Sequence, residues 1–199
     1  FHLWTRQDLR TYWCHDVEDA IRCALRLAPT HDVYAGIALS GADLGPSQRV
    51  KATTASGIVG LGADIDFQGA AHTSSKAYPP SESAALEVVA GVPLAPTVTV
   101  HSGHGIQCWW LLREPWVFSE PGEREAAADL LKAWGHTVAA AARELGWEVD
   151  TVSDLARLLR VPGTVNRKDT PVPVRILNLD GARRYEPVEF RQHVTTGSP

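Results

Sequence analysis

Two carboxylates stand one residue apart in the stretch GLGADIDFQG: Asp64 and Asp66, with Ile65 between them. In a strand, positions i and i+2 share a face, so the two acids are neighbours and Ile65 turns to the other side. Like charges that close repel, and a fold tolerates both only where something positive sits between them. The pair ends an apolar run (Ile58, Val59, Leu61, Ala63) typical of a central strand. The exit of such a strand is where α/β sheets commonly bind ligands. Hard oxygen donors at this spacing suit Mg²⁺ or Mn²⁺, which take one or two carboxylates and complete their shells with substrate phosphates. Two solvated acids on a surface turn would explain the pair alone, but not its place behind an apolar strand.

Two further segments carry groups that handle phosphate. In HSGHGIQCWW, Ser102, Gly103 and Gly105 allow close approach of backbone to a ligand, and turn N–H groups can cradle phosphate oxygens. His104 at the tip can donate to a phosphate. His101 and His104 are three apart across a turn, a poor match to the two alternating histidines of a covalent HUH-type nuclease. In VDTVSDLARLLRVPGTVNRKD, a helix over SDLARLLR would put Arg157 and Arg160 on one face at i, i+3, with Asp154 preceding Arg157 by the same interval. After Pro162-Gly163 come Asn166, Arg167 and Lys168. Arginine forks and a lysine point charge are the groups that bind triphosphate. Asp150, ending a short WEVD strand, and Asp154 are each candidates for a third metal carboxylate.

The elements that must position these residues follow from periodicity and punctuation. HDVEDAIRCALRLAP reads as an amphipathic helix with Asp16 as N-cap, apolar positions Ala20, Ile21, Ala24, Leu25 and Leu27, and Pro29 as its stop. DVYAGIAL is a strand, residues 40–56 a long loop, and GIVGLGADIDF the next strand. PPSESAALEVVAGVP is a helix introduced by Ser81 and ended near Gly91. PTVTVHSGHGIQCWWLL is two strands joined by a turn at residues 102–105. Residues 122–145 form the longest helix, PGTVN a turn and PVPVRILNL a late strand. Strands alternating with helices, plus a hairpin, indicate a mixed α/β fold rather than a doubly wound parallel sheet.

Bulk properties narrow the class. A chain of 199 residues can bury a real core, and it has no run of eighteen apolar residues to span a membrane. Cys14, Cys23 and Cys108 are too few and scattered for a disulfide framework and fit no standard zinc spacing, so they read as buried thiols in a reducing cytoplasm. The net charge of −4 argues against an unselective nucleic-acid binder. Its distribution is uneven: residues 151–191 hold eight Arg and Lys against five Asp and Glu, whereas the first 150 hold eleven against eighteen. A basic C-terminal third can face phosphates while the rest stays acidic. The chain begins at Phe1 rather than Met and reads as part of something longer, with residues 195–199 as a linker or tail.

Taken together, GADID, HSGHG and a later EVD or VSD resemble, in order, the three motifs of the archaeo-eukaryotic primase (AEP) superfamily. The likeness is to the primase-polymerase (prim-pol) domains of phage and plasmid replication proteins. DLARLLRVPGTVNRK is similar to the Asp-x-x-Arg-x-x-Arg-x-Pro-Gly-x-x-Asn-x-Lys run of those proteins, and the match extends from about Ile58 to Leu177. The resemblance implies an α/β (α+β mixed) fold with an N-terminal α/β module packed on an RRM-like catalytic sheet, residues 1–194 forming one catalytic domain of two packed subdomains. It implies a metal-dependent nucleotidyltransferase that primes or extends DNA on a single-stranded template. Asp64, Asp66 and a later aspartate would hold two Mg²⁺ or Mn²⁺ ions; Asp154 is preferred for its offset from Arg157, although Asp150 ends the better strand. Ser102, Gly103 and His104 would meet the incoming nucleotide's phosphates, and Arg160, Asn166, Arg167 and Lys168 would serve as triphosphate or template contacts. Many relatives carry histidine where this chain has Gln107, which leaves the working side chain of the second motif open between Gln107 and His104. The partners implied are single-stranded DNA template and primer, deoxyribo- or ribonucleoside triphosphates and a helicase domain in the full-length chain, all in a bacterial, plasmid or phage cytoplasmic setting. A catalytically silent nucleic-acid-binding module of the same fold and a metal-dependent phosphoesterase are the competing expectations.

Overall fold

The computed structural model describes residues 1–69, 76–151 and 154–194. The chain opens with β1 (His2–Thr5), β2 (Thr11–Trp13), α1 (Val17–Leu27), β3 (Val33–Gly36) and β4 (Ala38–Leu39). It continues through β5 (Gly57–Asp66), α2 (Glu82–Ala90), β6 (Val98–His101), β7 (Gly105–Val117) and α3 (Glu123–Glu144). It closes with β8 (Leu158–Arg160), β9 (Val165–Asn166), β10 (Val172–Pro173), β11 (Arg175–Leu179) and α4 (Pro187–Arg191). Two antiparallel sheets dominate: a four-stranded one in the order β2-β1-β3-β8 and a five-stranded one in the order β11-β6-β7-β5-β4. The β5-α2-β6-β7-α3 run sets β7 between β5 and β6, as in a ferredoxin-like β-α-β-β-α-β unit. The last strand departs from that unit, because β11 pairs with β6 and β4 takes the outer edge of β5.

The larger core lies beneath the five-stranded sheet. Leu61, Ala63 and Ile65 of β5 and Ile106, Cys108 and Trp110 of β7 are buried there with Val88, Leu131 and Trp134 of the helices. Trp134 stacks edge-on against Trp110 at 5.3 Å and against Phe190 at 5.0 Å, which ties α3 to β7 and α4. Trp110 also donates its indole N–H to the Leu94 carbonyl at 2.8 Å. A smaller cluster of Leu3, Cys14, Cys23, Leu27 and Val33 fills the space between α1 and the four-stranded sheet. All three cysteines are buried and free. Among the described residues no helix is long and apolar enough to cross a membrane.

Several expectations hold in detail. Asp16 caps α1 by accepting from the Asp19 N–H, and Ser81 caps α2 by accepting from the Ala84 N–H. Others are corrected. DVYAGIAL is two strands, not one: the chain crosses from one sheet to the other at Ile37, whose N–H bonds to the Arg157 carbonyl. The amphipathic face of α1 is rotated, burying Cys23 and Leu27 while Ile21 and Leu25 stay 53% and 67% exposed. WEVD is not a strand; it is held by bonds from the Trp147 N–H to the Ala142 carbonyl and from the Glu148 N–H to the Ala77 carbonyl, and by the contacts of the Asp150 carboxylate with Lys76 and Tyr78. The helix expected over SDLARLLR begins outside the described residues at Ser153, and from Asp154 onward it is a turn followed by β8. Arg157 and Arg160 therefore do not share a helix face. A segment that short gains little as an isolated helix, whereas the open edge of β3 satisfies its backbone directly, with Tyr34 opposite Arg160. The N-terminal strands β1 and β2 and the short α4 carry no signal that the sequence reading used.

Candidate active site

On β5 the alternation of side chains divides the strand sharply. Leu61, Ala63 and Ile65 enter the core, while Gly60, Gly62, Asp64 and Asp66 share the opposite face. Gly62 lets the four-stranded sheet lie close: a Cβ there would come within 3.0 Å of the Leu159 side-chain tip of β8, which would have to shift to admit it. The two aspartates emerge where that cover ends. Register places Gln107 opposite Asp64 and Gly105 opposite Asp66.

A cavity of about 200 Å³ opens at this point. Of the residues selected from sequence, Asp64, Asp66, Ser102, His104, Arg160, Asn166 and Lys168 all line it. Arg6, Tyr34, Gln107, Arg157 and Leu158 complete the wall. Arg6 and Tyr34 come from the first thirty-six residues, for which the sequence offered no motif.

Both carboxyls of the pair are shifted upward. Burial and the neighbouring Asp66 charge push the Asp64 carboxyl up to about 6, against the opposing pull of Arg157, Gln107 and Arg160. Asp66 is raised as well, by burial first and by Asp150, with Lys168 acting the other way. Two hard carboxylates whose ionised forms are disfavoured until a cation arrives fit Mg²⁺ or Mn²⁺. Among the described residues, no group of three His, Cys, Asp or Glu side chains is arranged to hold a metal ion. The two later acids are separated from the pair in different ways. Asp150 is within electrostatic reach of Asp66, but its carboxylate pairs with Lys76 and accepts from the Tyr78 hydroxyl at 3.3 Å. Asp154 lies in a neighbouring groove with Trp4 and Arg49, and accepts from the Ala156 N–H at 2.8 Å.

The hairpin tip is held from both sides. Ser102 donates its hydroxyl to the Gly105 carbonyl at 3.1 Å, and the Phe67 N–H, just past the acid pair, donates to the His104 carbonyl at 2.9 Å. Asn166 donates from Nδ2 to the Ser102 carbonyl at 2.7 Å and accepts the Lys168 N–H at 3.0 Å. A single buried amide thus fixes both the turn and the lysine. Gly103 has φ +102°, and a Cβ there would fall 2.8 Å from Asn166. Gly103→Ala is expected to cost about 1–3 kcal/mol of stability. Urea unfolding reads this directly, and a midpoint equal to wild type would show that the turn tolerates a side chain.

Arg160 and Arg167 are committed to structure more deeply than their types imply. Arg160 is 6% exposed, pairs with Asp32 at 2.5 Å, and lies over the Tyr34 ring at 4.6 Å. Its backbone N–H donates to Gln107 Oε1 at 2.8 Å. Gln107 therefore links β8 to β7 beside Asp64. Arg167 gives its guanidinium to the carbonyls of Ala28, Pro29, His31 and Val165, stabilising the C-terminal end of α1, and it does not line the cavity. The central anchor is Asp32, which the sequence reading missed. It is 1% exposed and accepts from Arg160 Nη1, from the Arg167 N–H at 2.8 Å and from Gln7 Nε2 at 2.5 Å. A lone aspartate at the start of an apolar strand gives no local sign of such a role.

No protein-family model and no curated protein matches the chain. Among solved structures it is similar to the AEP domain of the primase-polymerase (PrimPol) of cyanophage S-2L. The TM-score is 0.58 at 14% identity, with 98% of this chain and 86% of that chain covered. The chain shares the mixed α/β fold of that domain.

Proposed function

We propose that this domain is a metal-dependent nucleotidyltransferase that extends a primer on a single-stranded DNA template. The observation that carries the reading is the pairing of Asp64 and Asp66 on one strand face, the ionised form of Asp64 disfavoured by burial and the Asp66 charge and that of Asp66 by burial and the Asp150 charge, in a cavity shared with Lys168, Arg157 and His104. Divalent metal bound by the two aspartates would stabilise the attacking 3′-oxygen and the leaving pyrophosphate in an in-line displacement. Lys168 and Arg157 bring positive charge to the triphosphate, and His104 at the hairpin tip contributes a phosphate contact. Arg160 acts from the cavity wall, its guanidinium oriented by Asp32 and Tyr34. The third carboxylate is better sought in Asp150, whose charge reaches Asp66, than in Asp154. The partners of this activity are template, primer and nucleoside triphosphates, with a helicase domain in a longer phage- or plasmid-type replication protein.

The test is extension of a labelled primer with Mg²⁺ or Mn²⁺. Extension that survives Asp64→Ala combined with Asp66→Ala would sink the assignment. Hydrolysis of strand or nucleotide without incorporation would point to a phosphoesterase instead, and strand binding with neither to a silent module. The raised Asp64 carboxyl adds a pH signature. Metal competes with a proton below about pH 6, so the half-saturating Mn²⁺ concentration should rise about tenfold per pH unit there and level off above it. A flat dependence between pH 5 and pH 7, measured by calorimetry, would contradict the acid pair as the metal site.

A further inference from the structure

The turn at residues 102–105 is held by one more group. His101, the last residue of β6, folds its ring back so that Nδ1 accepts the Gly103 N–H at 3.1 Å. The residue is buried, 8% exposed, and its ring lies 5.6 Å from that of Phe67, whose own N–H bonds to the His104 carbonyl. A ring nitrogen that accepts carries no proton, so the neutral imidazole holds its hydrogen on Nε2. That nitrogen faces an oxygen of Glu82, the first residue of α2, at 3.5 Å, and the same oxygen takes the Arg175 guanidinium at 2.6 Å. Arg175 is the register partner of His101 on β11.

Arg175, Glu82, His101 and Gly103 thus form a chain of contacts from the sheet edge to the turn. Burial and the Arg175 charge hold the His101 ring below the usual imidazole value, against the pull of Glu82 and with His104 adding to the lowering. The ring therefore stays neutral near pH 7, and Nδ1 keeps the lone pair that Gly103 needs. Glu82 favours the hydrogen on Nε2, as a carboxylate does for a ring whose other nitrogen must stay unprotonated. The Arg175–Glu82 pair is largely exposed and contributes little stability by itself; its effect is on the tautomer. The Gly103 N–H is taken up inside the turn, and Ser102 and His104 on either side of it line the cavity.

From this we infer that His101 is a positioning residue: by accepting the Gly103 N–H as the Nε2–H tautomer, which Glu82 and Arg175 favour, it fixes Ser102 and His104 where they meet a triphosphate. It acts through the turn and touches no phosphate itself. The inference rests on the polymerase reading for its ligand, a nucleoside triphosphate. The tautomer and the Gly103 bond stand independently of that reading.

The experiment has one arm without variants and one with them. A long-range ¹H–¹⁵N spectrum of the intact labelled domain at neutral pH should show His101 protonated at Nε2 and not at Nδ1. Thymidine triphosphate binding with Mn²⁺, by calorimetry, and primer extension are then compared in two variants. His101→Leu removes the acceptor, whereas His101→Asn places an amide oxygen near the position of Nδ1. His101→Leu is expected to weaken binding about tenfold, the effect of losing one buried hydrogen bond, and to raise KM with little change in kcat. His101→Asn should recover most of that affinity. Glu82→Ala should weaken binding by a smaller factor and let the Nδ1–H tautomer appear; no change there would remove Glu82 and Arg175 from the chain of contacts. A wild-type ring protonated at Nδ1 would overturn the role of His101. So would His101→Asn binding no better than His101→Leu, or a kcat that falls with the folded fraction while KM holds. Should His101→Leu fail to fold, the wild-type spectrum and a near-wild-type KM in His101→Asn decide the matter. The two readings can fail separately. Triphosphate binding without extension removes the polymerase reading alone, and extension by a wild type with His101 protonated at Nδ1 removes the positioning role alone.

Discussion

Asp64→Asn is expected to abolish primer extension and, in the same protein, to raise stability at neutral pH. The two effects have one cause. The folded chain holds the Asp64 carboxyl at about 6, above its ordinary value of 3.8, because burial and Asp66 disfavour the charged form. A group raised on folding gives its full stability only below the unfolded value, and that stability is lost as pH rises toward the folded value. Between pH 3.8 and about 6 the wild type should therefore lose up to about 3 kcal/mol through this residue alone. The amide never ionises, so above pH 6 the variant keeps what the wild type has lost. Urea unfolding in EDTA at pH 5 and pH 8 measures it: the stability difference between variant and wild type should grow with pH. A difference of the opposite sign would mean that Asp64 is stabilised as an anion, and that the pair is an ordinary ion-paired surface feature. Adding Mn²⁺ should stabilise wild type more than Asp64→Asn, since only the former offers both carboxylates.

Asp32→Ala is expected to be the most damaging single change, costing about 3–5 kcal/mol, because it leaves the Arg160 guanidinium buried without its counter-charge. It also orphans the Arg167 N–H and frees Gln7. Burial acts to raise the Asp32 carboxyl, but hydrogen bonds from Arg167, Arg160 and Gln7 outweigh it and hold the group below the ordinary carboxylate range. Its stabilisation is present above the ordinary value and lost as pH falls through the depressed one, the reverse of Asp64. Acid unfolding should therefore come earlier in wild type relative to its neutral stability than in the variant. Pairing Asp32→Leu with Arg160→Met removes both charges together and should recover most of the stability. It should not recover the affinity for nucleoside triphosphate, because Arg160 is still missing from the cavity wall. Recovery of both would show that the Asp32–Arg160 pair serves the fold only.

The comparison of these two aspartates shows where sequence is informative. Asp64 and Asp66 were legible because a strand's period of two is a local rule: once GLGADID is a strand, its acids must share a face. The hairpin at residues 102–105 was legible for the same reason, small residues and glycines between two apolar runs. Asp32 was not, because its meaning lies in Arg160, 128 positions away, and in a backbone N–H at Arg167. The DLARLLR segment misled by the same logic. Its arginine spacing fits a helix, but a stretch with little intrinsic helix stability takes the conformation its neighbour offers, here the free edge of β3. That pairing set Arg160 against Asp32 in the cavity wall, with Arg157 lining the same cavity without that partner's cover.

The sequence by itself determined the acid pair, the turn and the mixed α/β class, since each follows from interactions spanning a few residues. Only the tertiary structure decided which cations share the cavity, that Asp150 and Asp154 part company, and that Trp4 of β1, Arg6 in the turn after it and Tyr34 of β3 lie beside it. Those outcomes depend on how two sheets close on each other across glycines such as Gly62, and packing between distant strands leaves no period in the chain.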